Sequence, residues 1–187
     1  MINVAVMEGW AGGLQLSKQF RQALITAGFN ITEPWQADVL IAHSTACYDL
    51  PIKSPINLFF LIDPPYWPGK SIFNRAVEKK RIDSKMTNQA GGWTAVLKKT
   101  VWEGLYIFKK PKYTPLALKN NPSLDFLGPL KSKQVVLVRN KDDAFCSPDI
   151  QVALSGFPNV RYAVVPGGHD DYMTNPQPYI DLLYKAI

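Results

Sequence analysis

The chain has 187 residues, 47% hydrophobic and 19% charged, which excludes a disordered polymer and allows one domain with a substantial core. Its two cysteines give no disulfide framework, and with only two histidines it offers no metal-ligand spacing. The formal charge of +6 is local. Between Trp67 and Lys112 eleven basic residues stand against three acidic ones, so the rest of the chain is slightly acidic.

The N-terminus lacks the basic start and small-residue cleavage site of a secretory signal, and Asn3 to Met7 reads instead as a first strand. No apolar run approaches the ~20 residues of a membrane span, so a soluble, cytoplasmic protein is expected. A glycine-rich turn, Gly9-Trp10-Ala11-Gly12-Gly13, leads into a helix over Leu14 to Ala27. There Leu16, Phe20, Ala23, Leu24 and Ala27 recur at helical spacing, and Gly28 closes it. Phe29 to Thr32 is a short second strand. Val39 to Ala42 is a third, its unbroken apolarity pointing to burial on both faces, and Leu58 to Ile62 is a fourth.

Pro68 to Lys112 reads as a long, mainly helical insertion, and Lys112 to Lys133 as irregular, with a short helix near Ser123 to Leu127. Val135 to Val138 and Val160 to Val165 are the last strands, with Ile150 to Leu154 helical between them. Pro176 to Ile187 closes the chain as a helix with Tyr179, Leu182, Leu183 and Ala186 inward. Apolar strands alternating with helices predict a mostly parallel, doubly wound sheet.

Three segments beyond strand ends carry reactive side chains. Ala42-His43-Ser44-Thr45-Ala46 has the small residues that a sharp strand-to-helix turn demands two positions either side of a serine. The alternative is a serine capping a short helix. Asp143, with Phe145 two residues on and Asp142 in reserve, follows the fifth strand, though both could be solvated loop carboxylates. His169, in Pro166-Gly167-Gly168-His169-Asp170, sits in a loop before the last helix, where the alternative is a surface histidine. His43 is expected to pack or hydrogen-bond behind the sheet. A serine hydroxyl becomes a nucleophile when an imidazole takes its proton and a carboxylate holds that imidazole. Gly9-Trp10 could also bind a dinucleotide, but Ala11 and Leu14 stand where G-x-G-x-x-G needs glycines.

These segments, in this order, resemble the α/β-hydrolase superfamily, specifically its small, compact single-domain serine hydrolases. Glu8-Gly9-Trp10-Ala11-Gly12-Gly13 stands where the family's H-G-x-x-G loop falls, and Leu61-Ile62-Asp63-Pro64-Pro65 looks like the strand end that follows the elbow. The resemblance implies a single three-layer α/β-hydrolase domain over 1–187, with a helical cap at about 68–112 and no cofactor. It implies Ser44 as nucleophile, His169 as base and Asp143 as acid, with Trp10 and Thr45 N–H groups as the oxyanion hole. The substrate implied is an ester, thioester or amide. Three departures stand out: Glu8 replaces a histidine, Glu33 to Asp38 leave no room for the usual helix, and Pro51 and Pro55 cut the elbow helix short.

The basic insertion has three readings. Trp93, Leu97, Val101, Leu105 and Phe108 repeat at helical spacing among lysines, as in an amphipathic helix with a solvated face. That reading is favoured; the sharper ones are a cap that attracts acidic substrates and a surface for anionic lipid. No nucleic-acid recognition module is evident. A catalytically inactive protein of the same fold, binding a ligand or partner through this segment, is the alternative function.

Overall fold

The structure is a computed structural model that describes residues 1–9, 17–52, 55–68 and 123–187. The strands form over segments rich in Val, Ile, Leu and Phe: β1 (Asn3–Met7), β2 (Asn30–Ile31), β3 (Val39–His43), β4 (Leu58–Ile62), β5 (Gln134–Asn140) and β6 (Val160–Val165). They pair in the order β2-β1-β3-β4-β5-β6, every pair parallel. All five residues of β3 and of β4 are buried, as sheet-centre strands covered on both faces must be.

Alternate residues of each strand serve opposite cores. Val39, Ile41, Phe60 and Ile62 pack with Phe20 and Leu24 of α1 (Lys18–Thr26), and with Ile180 and Leu183 of the C-terminal helix Gln177–Ala186. Leu40, Phe59 and Leu61 face Ile150 of α2 (Ile150–Ala153), and Leu127 and Leu130 of a 3₁₀ turn, Asp125–Leu130. Helical elements thus cover both faces of the sheet. Each fully buried Phe, Leu or Ile contributes roughly 1.5–3 kcal/mol.

Between Ser123 and Leu127, where a short helix is expected, the chain makes that 3₁₀ turn, displaced toward Pro129, whose missing N–H disfavours α-helix. The first helix is described from Lys18 onward, and its expected start at Leu14 to Leu16 lies outside the described residues. A four-residue helix α3 (Asp171–Thr174), too short to show periodicity, precedes α4 (Gln177–Ala186). In α4, Tyr179, Leu183 and Ala186 are buried as expected. Ile180 joins them, and Leu182 is only partly covered. Between β2 and β3 runs only the three-residue turn Pro34–Gln36. The cap expected at about 68–112 lies, beyond Pro68, outside the described residues. Among those described, no helix is long and apolar enough to cross a membrane.

Candidate active site

In parallel sheets every strand delivers its following loop to the same rim. Ser44 leaves β3 there, Asp63 leaves β4, Asp143 follows β5, and His169 follows β6.

Ser44 has φ +56°, a left-handed backbone that costs an L-residue about 1–2 kcal/mol. Ala42 and Ala46 are completely buried around it, which accounts for small residues at those positions. Only a five-residue 3₁₀ turn, Ser44–Tyr48, follows in place of a full helix.

Ser44 Oγ lies 3.0 Å from His169 Nε2, and His169 Nδ1 lies 2.8 Å from Asp143 Oδ2. A carboxylate only accepts, so Nδ1 carries the proton and the Nε2 lone pair faces the serine hydroxyl. Asp143 is buried, and its other oxygen accepts the Phe145 N–H at 2.6 Å. Burial alone would raise its pKa. The neighbouring imidazole and these hydrogen bonds outweigh that and hold it below the ordinary carboxylate value. Asp142 instead lies exposed, its N–H donating to Gly167 at 2.9 Å. The structure therefore brings Ser44, His169 and Asp143 together and leaves Asp142 apart.

Buried side chains fix both loops. Arg139 donates to the carbonyls of Cys146 (2.7 Å) and Lys141 (3.0 Å), wrapping the segment that carries Asp143. Asn140 Nδ2 donates to the Gly168 carbonyl at 2.6 Å. Gly167 has φ +119°, and a Cβ there would stand 2.2 Å from Asp171 Oδ2, so the turn into His169 admits only glycine. His43 does hydrogen-bond, but onto the His169 loop. Its Nε2 donates to the His169 carbonyl at 2.9 Å, and its ring centre is 4.6 Å from that of His169 and 4.5 Å from that of Tyr172.

Glu8 is buried, accepts a hydrogen bond from the Tyr172 hydroxyl, and has an oxygen 3.6 Å from His43 Nδ1. Burial opposes its ionisation, but His43, Tyr172 and Ser17 together hold its pKa below the usual value. Its charge is therefore spent on this network. Gly9 packs tightly on the elbow: a Cβ there would fall 2.8 Å from Thr45 N and 2.9 Å from the His43 carbonyl. Thr45, buried, follows Ser44 directly, whereas Trp10 lies outside the described residues.

Asp63 is the acid that sequence reasoning passed over. It is wholly buried and has φ +48°. The apolar run stopping at Asp63-Pro64-Pro65 marked the strand end but said nothing of a neighbour across the sheet. Among the described residues, two triplets offer donor atoms within 4.8 Å of one another, Asp63 with Asp143 and His169, and His43 with His169 and Asp170. Both need His169, whose ring nitrogens are engaged by Asp143 and Ser44.

No protein-family model and no curated protein sequence matches the chain. Solved structures do. A hydrolase from Oleispira antarctica superposes with a TM-score of 0.65 at 13% identity, covering 99% of this chain and 90% of its own. A carboxylesterase structure from the thaumarchaeon Nitrososphaera gargenis gives 0.61 at 12% identity, covering 98% and 89%. Proline iminopeptidase from Mycobacterium smegmatis gives 0.59 at 10%, covering 98% and 88%. Identities this low speak to architecture, and with the parallel six-stranded sheet they establish that the chain has the α/β-hydrolase fold.

Proposed function

We propose that the protein is a serine hydrolase that cleaves a carboxylic ester or a related acyl bond. The observation that carries this reading is the hydrogen-bonded line from Ser44 Oγ through His169 to Asp143, with the serine held in left-handed backbone. Ser44 Oγ attacks the acyl carbon as His169 Nε2 takes its proton. The tetrahedral intermediate collapses as His169 returns that proton to the departing alcohol, leaving an acyl-serine. Water, deprotonated by His169, then attacks the acyl carbon. Collapse releases the carboxylic acid and reprotonates Ser44. Asp143 keeps the imidazole in the required tautomer throughout. The N–H groups of Thr45 and Trp10 are the proposed donors to the oxyanion. The proposed setting is the cytoplasm, whose reducing conditions suit two unpaired thiols.

A fluorophosphonate probe should label the protein at Ser44, and nitrophenyl esters of short acids should turn over. Both signals should vanish in Ser44→Ala and in His169→Ala. Labelling that persists without the hydroxyl sinks the assignment.

One feature favours a second reading, a non-catalytic binder of the same fold. The elbow leads into five residues of 3₁₀ turn, too short to aim a strong helix dipole at an oxyanion. That protein would bind a ligand or partner through its basic insertion, and binding would be salt-sensitive and indifferent to Ser44→Ala.

A further inference from the structure

Asp63 is a buried acid that the proposed mechanism leaves unused. Its Oδ1 accepts the Asn140 N–H at 2.7 Å, and its Oδ2 is sealed from solvent without a hydrogen bond of ordinary geometry among the described residues. A carboxyl oxygen of Asp63, one of Asp143 and a ring nitrogen of His169 nevertheless all lie within 4.8 Å of one another.

Two carboxylates this close and this buried do not both ionise. Asp143 is committed to its charge, because each of its oxygens accepts a hydrogen bond, from His169 and from the Phe145 N–H. The shared proton therefore belongs to Asp63. We infer that Asp63 is a positioning residue, a protonated carboxyl that donates to the Asp143 carboxylate and fixes the oxygen that holds His169.

The surroundings agree. Burial and then the charge of Asp143 push the Asp63 carboxyl well above the usual range, outweighing the Asn140 N–H and the Arg139 cation, which act the other way. Cys47 in the turn after β3, Cys146 in the loop after β5, Tyr162 on β6 and Tyr179 on α4 lie close enough that a charge on Asp63 would raise each of them. All four stay neutral at neutral pH, each pushed upward by its own burial. Among the described residues, His169 is within reach of Asp63 and Arg139 lends it a positive charge, while the Arg139 guanidinium is engaged by the Cys146 and Lys141 carbonyls.

The positioning role rests on the hydrolase reading; the location of the proton does not. Infrared difference spectroscopy at neutral pH should show the carbonyl stretch of a protonated carboxylic acid, and Asp63→Asn should remove it. In parallel, the rate at which a fluorophosphonate labels Ser44 should be nearly unchanged in Asp63→Asn, whose amide can donate to Asp143. It should fall on the order of ten- to a hundredfold in Asp63→Gly, which removes the side chain that donates to Asp143 from the end of β4. Asparagine and glycine both accept left-handed backbone, and thermal unfolding confirms that each variant is folded. A missing band, an Asn variant as slow as Gly, or a Gly variant as fast as the parent overturns the proposal. A band without any labelling of the parent would overturn the hydrolase reading, and the positioning role with it, while keeping the proton on Asp63.

Discussion

His43 Nε2 donates to the backbone carbonyl of His169 at 2.9 Å, so the residue preceding the serine also anchors the loop that brings the imidazole to it. His43→Leu would leave that carbonyl and the Glu8 carboxylate short of a partner, a loss of roughly 1–3 kcal/mol. Labelling of Ser44 should slow at least tenfold as the loop loosens. His43→Gln, which can still donate from a similar position, should recover most of the rate. Denaturant melts and labelling kinetics on both variants check this.

Gly9 bears on the elbow itself. A Cβ at that position meets backbone atoms, Thr45 N and the His43 carbonyl, which cannot swing aside as a side chain could. Gly9→Ala should therefore lower stability by about 1–3 kcal/mol, as overpacking of a closed site does. It should also reduce ester turnover more than any exposed alanine substitution, since the displaced atoms border Ser44.

The two neighbouring acids after β5 should separate cleanly. Asp143→Asn removes the acceptor that holds Nδ1–H, and turnover should fall by several orders of magnitude, roughly 10⁴-fold where a carboxylate orients such a histidine. Asp142→Asn alters an exposed side chain and should leave the rate within about twofold. Equal losses in the two would mean that the observed pairing is not the working one.

Titration offers an independent check. Asp63 has a raised pKa in the folded chain, so above about pH 4 the folded state keeps a proton that the unfolded state releases. Its contribution therefore weakens as pH rises toward the folded value. Asp63→Asn should match the parent in melting temperature near pH 4 and exceed it increasingly toward alkaline pH. Glu8 and Asp143 work in the opposite sense. Their lowered values stabilise the fold above the normal carboxylate range, and that stability is lost as acid titrates them. Glu8→Gln should accordingly be less stable than the parent at pH 7, with the gap closing in acid. Thermal scans across pH read both.

Strands were the most legible part of this chain, because central strands demand unbroken apolar runs and the edge strand β6 is still dense in Val and Tyr. Asn3–Met7, Leu58–Ile62 and Val160–Val165 coincide with their expected limits. Short elements were not, since the four residues of Asp171–Thr174 span barely one helical turn. In the site, Ser44, Asp143 and His169 stood out because each is a reactive side chain just past a strand. Asp63 and the Glu8–His43–Tyr172 network were invisible for another reason. Their meaning lies in contacts across the sheet, such as Tyr172 to Glu8, which no local pattern encodes.

Cys47 and Cys146 are the only thiols in the chain, and both are shut away from solvent with pKa values pushed far above neutrality. Alkylating reagents and mild oxidants attack thiolates, so the native molecule should be close to inert toward them. One cysteine added on the surface would then be the sole reactive handle, and a dye or spin label could report on the rim around Ser44 without stripping out the native pair.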